Sequence, residues 1–93
     1  MKKYEVMYII RPEVEEEARN ALIQEINNVF VGKASTVEKV SEWGLKELAY
    51  EIKGCHKGYY VLLNVNATTE AIDEFTRVAN IKENIIRYIA VAE

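Results

Sequence analysis

Apolar residues alternate along some stretches of this chain and recur every fourth position along others, and the order of the two patterns predicts a fold. Residues 4–10 (Tyr-Glu-Val-Met-Tyr-Ile-Ile) are aromatic and β-branched and stop at Arg11-Pro12, which reads as a strand and its end. Ala18, Leu22, Ile26 and Phe30 follow at every fourth position, with Ile23 and Val29 beside them, the stripe of an amphipathic helix of about five turns. Pro12 suits the first turn of that helix. Glu13, Glu15, Glu16 and Glu17 suit its positive end, and Gly32 its stop. Residues 34–40 and 45–52 read as one long strand interrupted at 41–44, where Gly44 beside Trp43 predicts a bulge. A five-residue loop at 54–58 and a strand at 59–65 complete a hairpin. Thr68 or Thr69 caps a second helix whose apolar face carries Ile72, Phe75 and Ala79. Residues 80–84 turn the chain into a last strand at 85–91.

The resulting order, β-α-β-β-α-β, predicts an α+β fold of the ferredoxin-like split βαβ type. Right-handed crossovers give a four-stranded antiparallel sheet with both helices on one face. Residues 1–93 read as a single domain with no repeat, linker or low-complexity stretch.

Such a sheet has one wet face, which ought to alternate to polar residues. Here it does not. Assigning Tyr4, Val6, Tyr8 and Ile10, then Tyr59, Val61, Leu63 and Val65, then Ile86, Tyr88 and Ala90 to the helix side leaves Met7, Ile9, Tyr60, Leu62, Ile89 and Val91 on the open side. A contiguous apolar patch of that kind marks an interface more often than a scatter of surface hydrophobes.

The net charge of −3 argues against a polyanionic partner until it is resolved by layer. Residues 13–31 and 70–83 hold nine acids and three bases, whereas the rest of the chain holds nine bases and six acids. The helix layer is therefore acidic and the sheet-and-loop layer basic, and a polyanion responds to local potential. Lysines at sheet edges also deter aggregation, so the split alone is a weak pointer to nucleic acid.

Other chemistry is poorly supported. No apolar run approaches the roughly 20 residues of a membrane span. Glu5 interrupts the apolar core that a signal peptide needs, and one cysteine suits a reducing cytosolic setting. Cys55-His56 lacks a second base and an orienting group, and the two cannot close a metal site. No glycine-rich phosphate loop is present, so neither an enzyme nor a cofactor is expected. Lys57-Gly58-Tyr59-Tyr60 begins like the stacking strand of an RNA-recognition motif, but Val61-Leu62-Leu63 supplies no second ring. Two further classes stay open on the residues alone: a small-molecule regulatory or homodimeric domain of the same fold, and an RNA-recognition motif acting alone.

Residues 1–12, Trp43-Gly44-Leu45-Lys46-Glu47-Leu48-Ala49-Tyr50-Glu51-Ile52, Lys57-Gly58-Tyr59-Tyr60-Val61-Leu62-Leu63 and Ile85-Ile86-Arg87-Tyr88 together resemble the bacterial small-subunit ribosomal protein number six family. The resemblance spans essentially the whole chain. It implies a non-catalytic cytoplasmic ribosomal component, monomeric in isolation. Such a component would bind 16S ribosomal RNA in the central domain together with small-subunit ribosomal protein number eighteen, with no membrane and no small-molecule substrate. By motif position it implies RNA contact at Lys2, Lys46, Lys53, Lys57 and Arg87. Partner contact is implied at Met7, Ile9, Trp43, Tyr60, Leu62, Ile89 and Val91. Two departures from the family pattern stand out. Glu47 takes the place where the family commonly has a second basic residue, which weakens the case for a strong phosphate clamp there, and no contribution to RNA or partner binding is expected from the charged C-terminal tail that many relatives carry.

Overall fold

The computed structural model describes residues 2–93, in the order β1 (Lys2–Ile10), α1 (Glu16–Gly32), β2 (Thr36–Ile52), β3 (Cys55–Ala67), α2 (Thr69–Ile81) and β4 (Ile85–Ala92). The sheet order is β2-β3-β1-β4, with every neighbouring pair antiparallel. Both helices lie on one face, as the pattern predicts.

The core fills the space between them. Val6, Tyr8 and Ile10 of β1, with Val61, Leu63 and Val65 of β3, meet Leu22, Ile23, Ile26 and Phe30 of α1 and Ala71, Phe75, Val78 and Ala79 of α2. Phe75 organises the aromatic part: it stacks on Phe30 at 5.7 Å, lies tilted to Tyr8 at 6.3 Å and meets Tyr88 edge-on at 5.8 Å. Burying a side chain of this size stabilises the fold by roughly 1.5–3 kcal/mol.

Local chemistry explains most boundaries. Thr68 caps α2, its hydroxyl accepting from the Ala71 N–H at 3.1 Å. Helix α1 starts later than the sequence predicts. Pro12 and Glu13 lie in a turn closed by the Val14 N–H on the Arg11 carbonyl, and Glu15 is the residue before the first helical turn. Ala18, in the first turn of α1, is exposed rather than part of the core. Gly32 does end α1, but the left-handed residue that redirects the chain is Ala34 (φ 58°).

The β2–β3 hairpin is tighter and longer than expected. Its connection is the two-residue turn Lys53-Gly54 (φ 49° and 79°), so Cys55 to Gly58 belong to β3 rather than to a loop. Two left-handed residues match the twist of the flanking strands. Strand β2 carries bulges at Glu38, at Trp43 and across Leu48–Glu51. In the last of these, four residues oppose the single residue His56.

The β1–β4 pairing also slips, between Ile9 and Ile10. The slip reverses one assignment made from simple alternation. Ile85 enters the main core, whereas Ile86, expected on the helix side, turns to the open side and packs with Ile9 and Cys55.

Candidate functional site

The open face of the sheet is graded from polar to apolar along β1. Lys3 pairs with Asn66, and Glu5 with Asn64 and Val91, so that end is polar apart from Val91. Met7 pairs with Leu62 on one side and Ile89 on the other, giving an apolar row across three strands. The next row is Tyr60, Ile9 and Arg87.

Part of this face is covered by the chain itself. The extra residues of β2 at Leu48–Glu51 bend the hairpin over it, as an unpaired insertion in one strand of a pair does. Leu48 and Ile52 then pack against Ile9, Cys55 and Ile86, with Tyr60 alongside. Ile9 is only 2% exposed, so it supports the surface from beneath and does not offer a contact, contrary to the expectation from alternation. The rest stays open. Ile89 is 45% and Val91 51% exposed, and Met7, Tyr60 and Leu62 are half-buried. Between the bent hairpin and this row runs a groove of about 160 Å³, walled by Met7, Tyr60 and Ile89 on the sheet and by Leu48, Tyr50 and Arg87 along its rim.

Trp43 joins the apolar surface from β2. It is the extra residue of the bulge between Glu42 and Gly44, where Gly44 holds φ 84°. The bulge lays the indole nearly parallel to the Tyr60 ring, 12° between planes and 6.5 Å between centroids, with Trp43 half exposed. Lys46 Nζ sits 5.8 Å from the indole centroid, within cation–π range. The open face therefore does carry a second ring beside Tyr60. Reading β3 alone missed it because it comes from the neighbouring strand.

The predicted cations fall in two places. Lys46, Lys53, Lys57 and Arg87 gather at the hairpin end of the sheet: Lys53 in the turn, Lys57 opposite Glu47, and Arg87 beside Ile9. Lys2 stands seven residues before Ile9 on β1, about 23 Å away at roughly 3.3 Å per strand residue. Arg87 donates to the Tyr50 hydroxyl, a contact that joins the two outer strands across the open face. Tyr50 and Leu48 were not singled out from the sequence. The available signal was that Leu48, Tyr50 and Ile52 fall on one side of a period-two strand.

Cys55 and His56 are apart in role. Cys55 is buried, its sulfur accepting from Arg11 Nη1 at 3.4 Å, and His56 is exposed, 3.9 Å from Glu51. No cluster of three metal-ligating side chains occurs among the described residues, and no helix there is long and apolar enough to cross a membrane.

The model of the ribosomal protein S6 family matches residues 3–92. The chain belongs to that family. A crystal structure of 30S ribosomal protein S6 from Thermotoga maritima superposes with a TM-score of 0.94 at 27% identity, over 99% of this chain and 87% of that one. The fold and topology described above are thus those of S6, and the chain is a small-subunit ribosomal protein. The family is a structural one, not a family of enzymes.

Proposed function

We propose that this S6 family member binds 16S ribosomal RNA in the central domain of the small subunit as one half of a heterodimer with small-subunit protein number eighteen. The observation that carries the reading is the apolar surface of Met7, Leu62, Ile89 and Val91, continued by Trp43 and Tyr60, which the bent hairpin borders but leaves open, with Ile89, Val91 and Trp43 exposed. An uncovered apolar face of this kind suits a partner protein. The basic residues at its border suit phosphates. Lys46, Lys53, Lys57 and Arg87 would hold one stretch of RNA at the hairpin end, and Lys2 a second stretch at the far end of β1. Such contacts fix position, and RNA shape supplies specificity.

In this reading residues 1–93 act as a single ribosomal-protein domain, monomeric until the partner arrives, and the ribosome in the cytoplasm is where it resides. With a net charge of −3 and an acidic helix layer, the chain alone attracts RNA weakly. Chemical footprinting of the 16S central domain tests the reading. Protections that need both proteins support it, and an unchanged pattern on adding both refutes it.

The Trp43–Tyr60 pair with Lys46 beside it favours one second reading, a platform on which an unpaired base stacks. A single-stranded oligonucleotide that quenches Trp43 fluorescence in the absence of the partner would select it.

A further inference from the structure

Arg87 differs from the cations that are held in ion pairs; Arg19 and Lys46, like it, meet neutral partners, the Tyr59 ring and the Trp43 indole. Arg11 pairs with Glu13, Lys33 with Glu70, Arg77 with Glu74 and Lys82 with Glu25. Arg87 is held instead by a neutral phenol, and among the described residues no carboxylate lies within ion-pair distance of it. The holder is built into the fold. Tyr50 reaches Arg87 from the far edge of the sheet only because the Leu48–Glu51 bulge bends β2 across the open face, and Leu48 and Ile52 pin that bend onto Ile9 and Ile86. A neutral acceptor takes one of the five guanidinium donors, removes rotamer freedom from a long side chain, and leaves its charge uncancelled. A carboxylate in the same place would orient the group but neutralise it.

We propose that Tyr50 is a positioning residue for RNA binding. Its hydroxyl holds the Arg87 guanidinium at the rim of the groove, charge intact and remaining donors free, facing an incoming phosphate in a set direction. The inference rests on the proposed contact between Arg87 and RNA.

The test measures binding of a 16S central-domain fragment by the complex with protein eighteen, across a salt series, for the wild type, Tyr50→Phe, Arg87→Gln and the double variant. Arg87→Gln should lower affinity and reduce the slope of log K against log salt by about 0.7–0.9, the value of one phosphate. Tyr50→Phe keeps the ring and removes only the hydroxyl. It should cost about three- to fivefold in affinity, less than the full value of a hydrogen bond from a charged donor, because the bond orients Arg87 and does not itself touch RNA. The double variant should match Arg87→Gln, while the thermal midpoint and partner affinity of Tyr50→Phe stay at wild-type values. A merely structural role for Tyr50 would move those last two. Wild-type affinity in Tyr50→Phe, or an equal further loss in the Arg87→Gln background, overturns the positioning role alone. Wild-type affinity and slope in Arg87→Gln overturn the phosphate contact beneath it, and the inference with it.

Discussion

Ile9 lies so close over Gly58 that a β-carbon at residue 58 would collide with Ile9 Cγ2 and touch Leu48 and Ile86 at 3.6 Å. Strand β1 and the bent hairpin meet at this point, and glycine is what lets them close. Gly58→Ala should therefore destabilise the fold by about 1–3 kcal/mol, the usual cost of overpacking a filled site. Urea denaturation measures it. A variant as stable as the wild type would mean that the hairpin does not lie on Ile9 as described.

Tyr8 is fully buried, and its hydroxyl has no hydrogen-bond partner among the described residues. Burial, and behind it the Glu42 charge, hold its pKa well above the ordinary tyrosine value of about 10. The unfolded chain ionises at the ordinary value and the folded one only higher up. The stability tied to the neutral phenol is therefore complete below about pH 10 and falls as pH rises above it. Tyr59 shifts in the same direction, through burial and its hydrogen bond to Glu42. Tyr8→Phe should flatten the alkaline loss and, by removing an unpaired buried hydroxyl, leave stability at pH 7 equal to the wild type or about 1 kcal/mol higher. Denaturation midpoints at pH 7 and pH 11 check both. A large loss at pH 7 would mean that the hydroxyl is well bonded.

Ile9 and Ile89 share a face of the sheet but differ in cover, and aspartate separates them. Ile89→Asp places charge on exposed surface and Leu62→Asp at a half-buried position of the same face, and both should leave the fold intact while abolishing binding of protein eighteen. Ile9→Asp places an unpaired carboxylate where only 2% of the residue meets solvent, and should unfold the chain. Circular dichroism and a pull-down distinguish the outcomes. Partner binding that survives Ile89→Asp and Leu62→Asp would move the interface elsewhere.

Trp43 is the sole tryptophan and sits half exposed on that surface. Partner binding should exclude water from the indole and shift its emission to the blue. A titration with no spectral change would place the partner away from β2.

The fold was legible because each element declares itself locally. Thr68 caps a helix, Leu22, Ile26 and Phe30 share a stripe, and Tyr4 to Ile10 alternate into a core. Strict alternation failed where the chain departs from a period of two. The slip between Ile9 and Ile10 moved Ile86 to the other face, and the four-residue bulge at Leu48–Glu51 folded the hairpin back over Ile9. A bulge leaves little trace in composition, since it is set by how two strands pair. The same limit hid the Trp43–Tyr60 stack and the Tyr50–Arg87 contact, because both join residues on different strands.

The affinity of the chain for a 16S central-domain fragment, measured by filter binding at one fixed salt concentration with and without protein eighteen, bears most directly on whether the open face is a co-assembly surface. Weak, salt-sensitive binding alone and tight binding with the partner is the expected result. Equal affinity in the two conditions would contradict it.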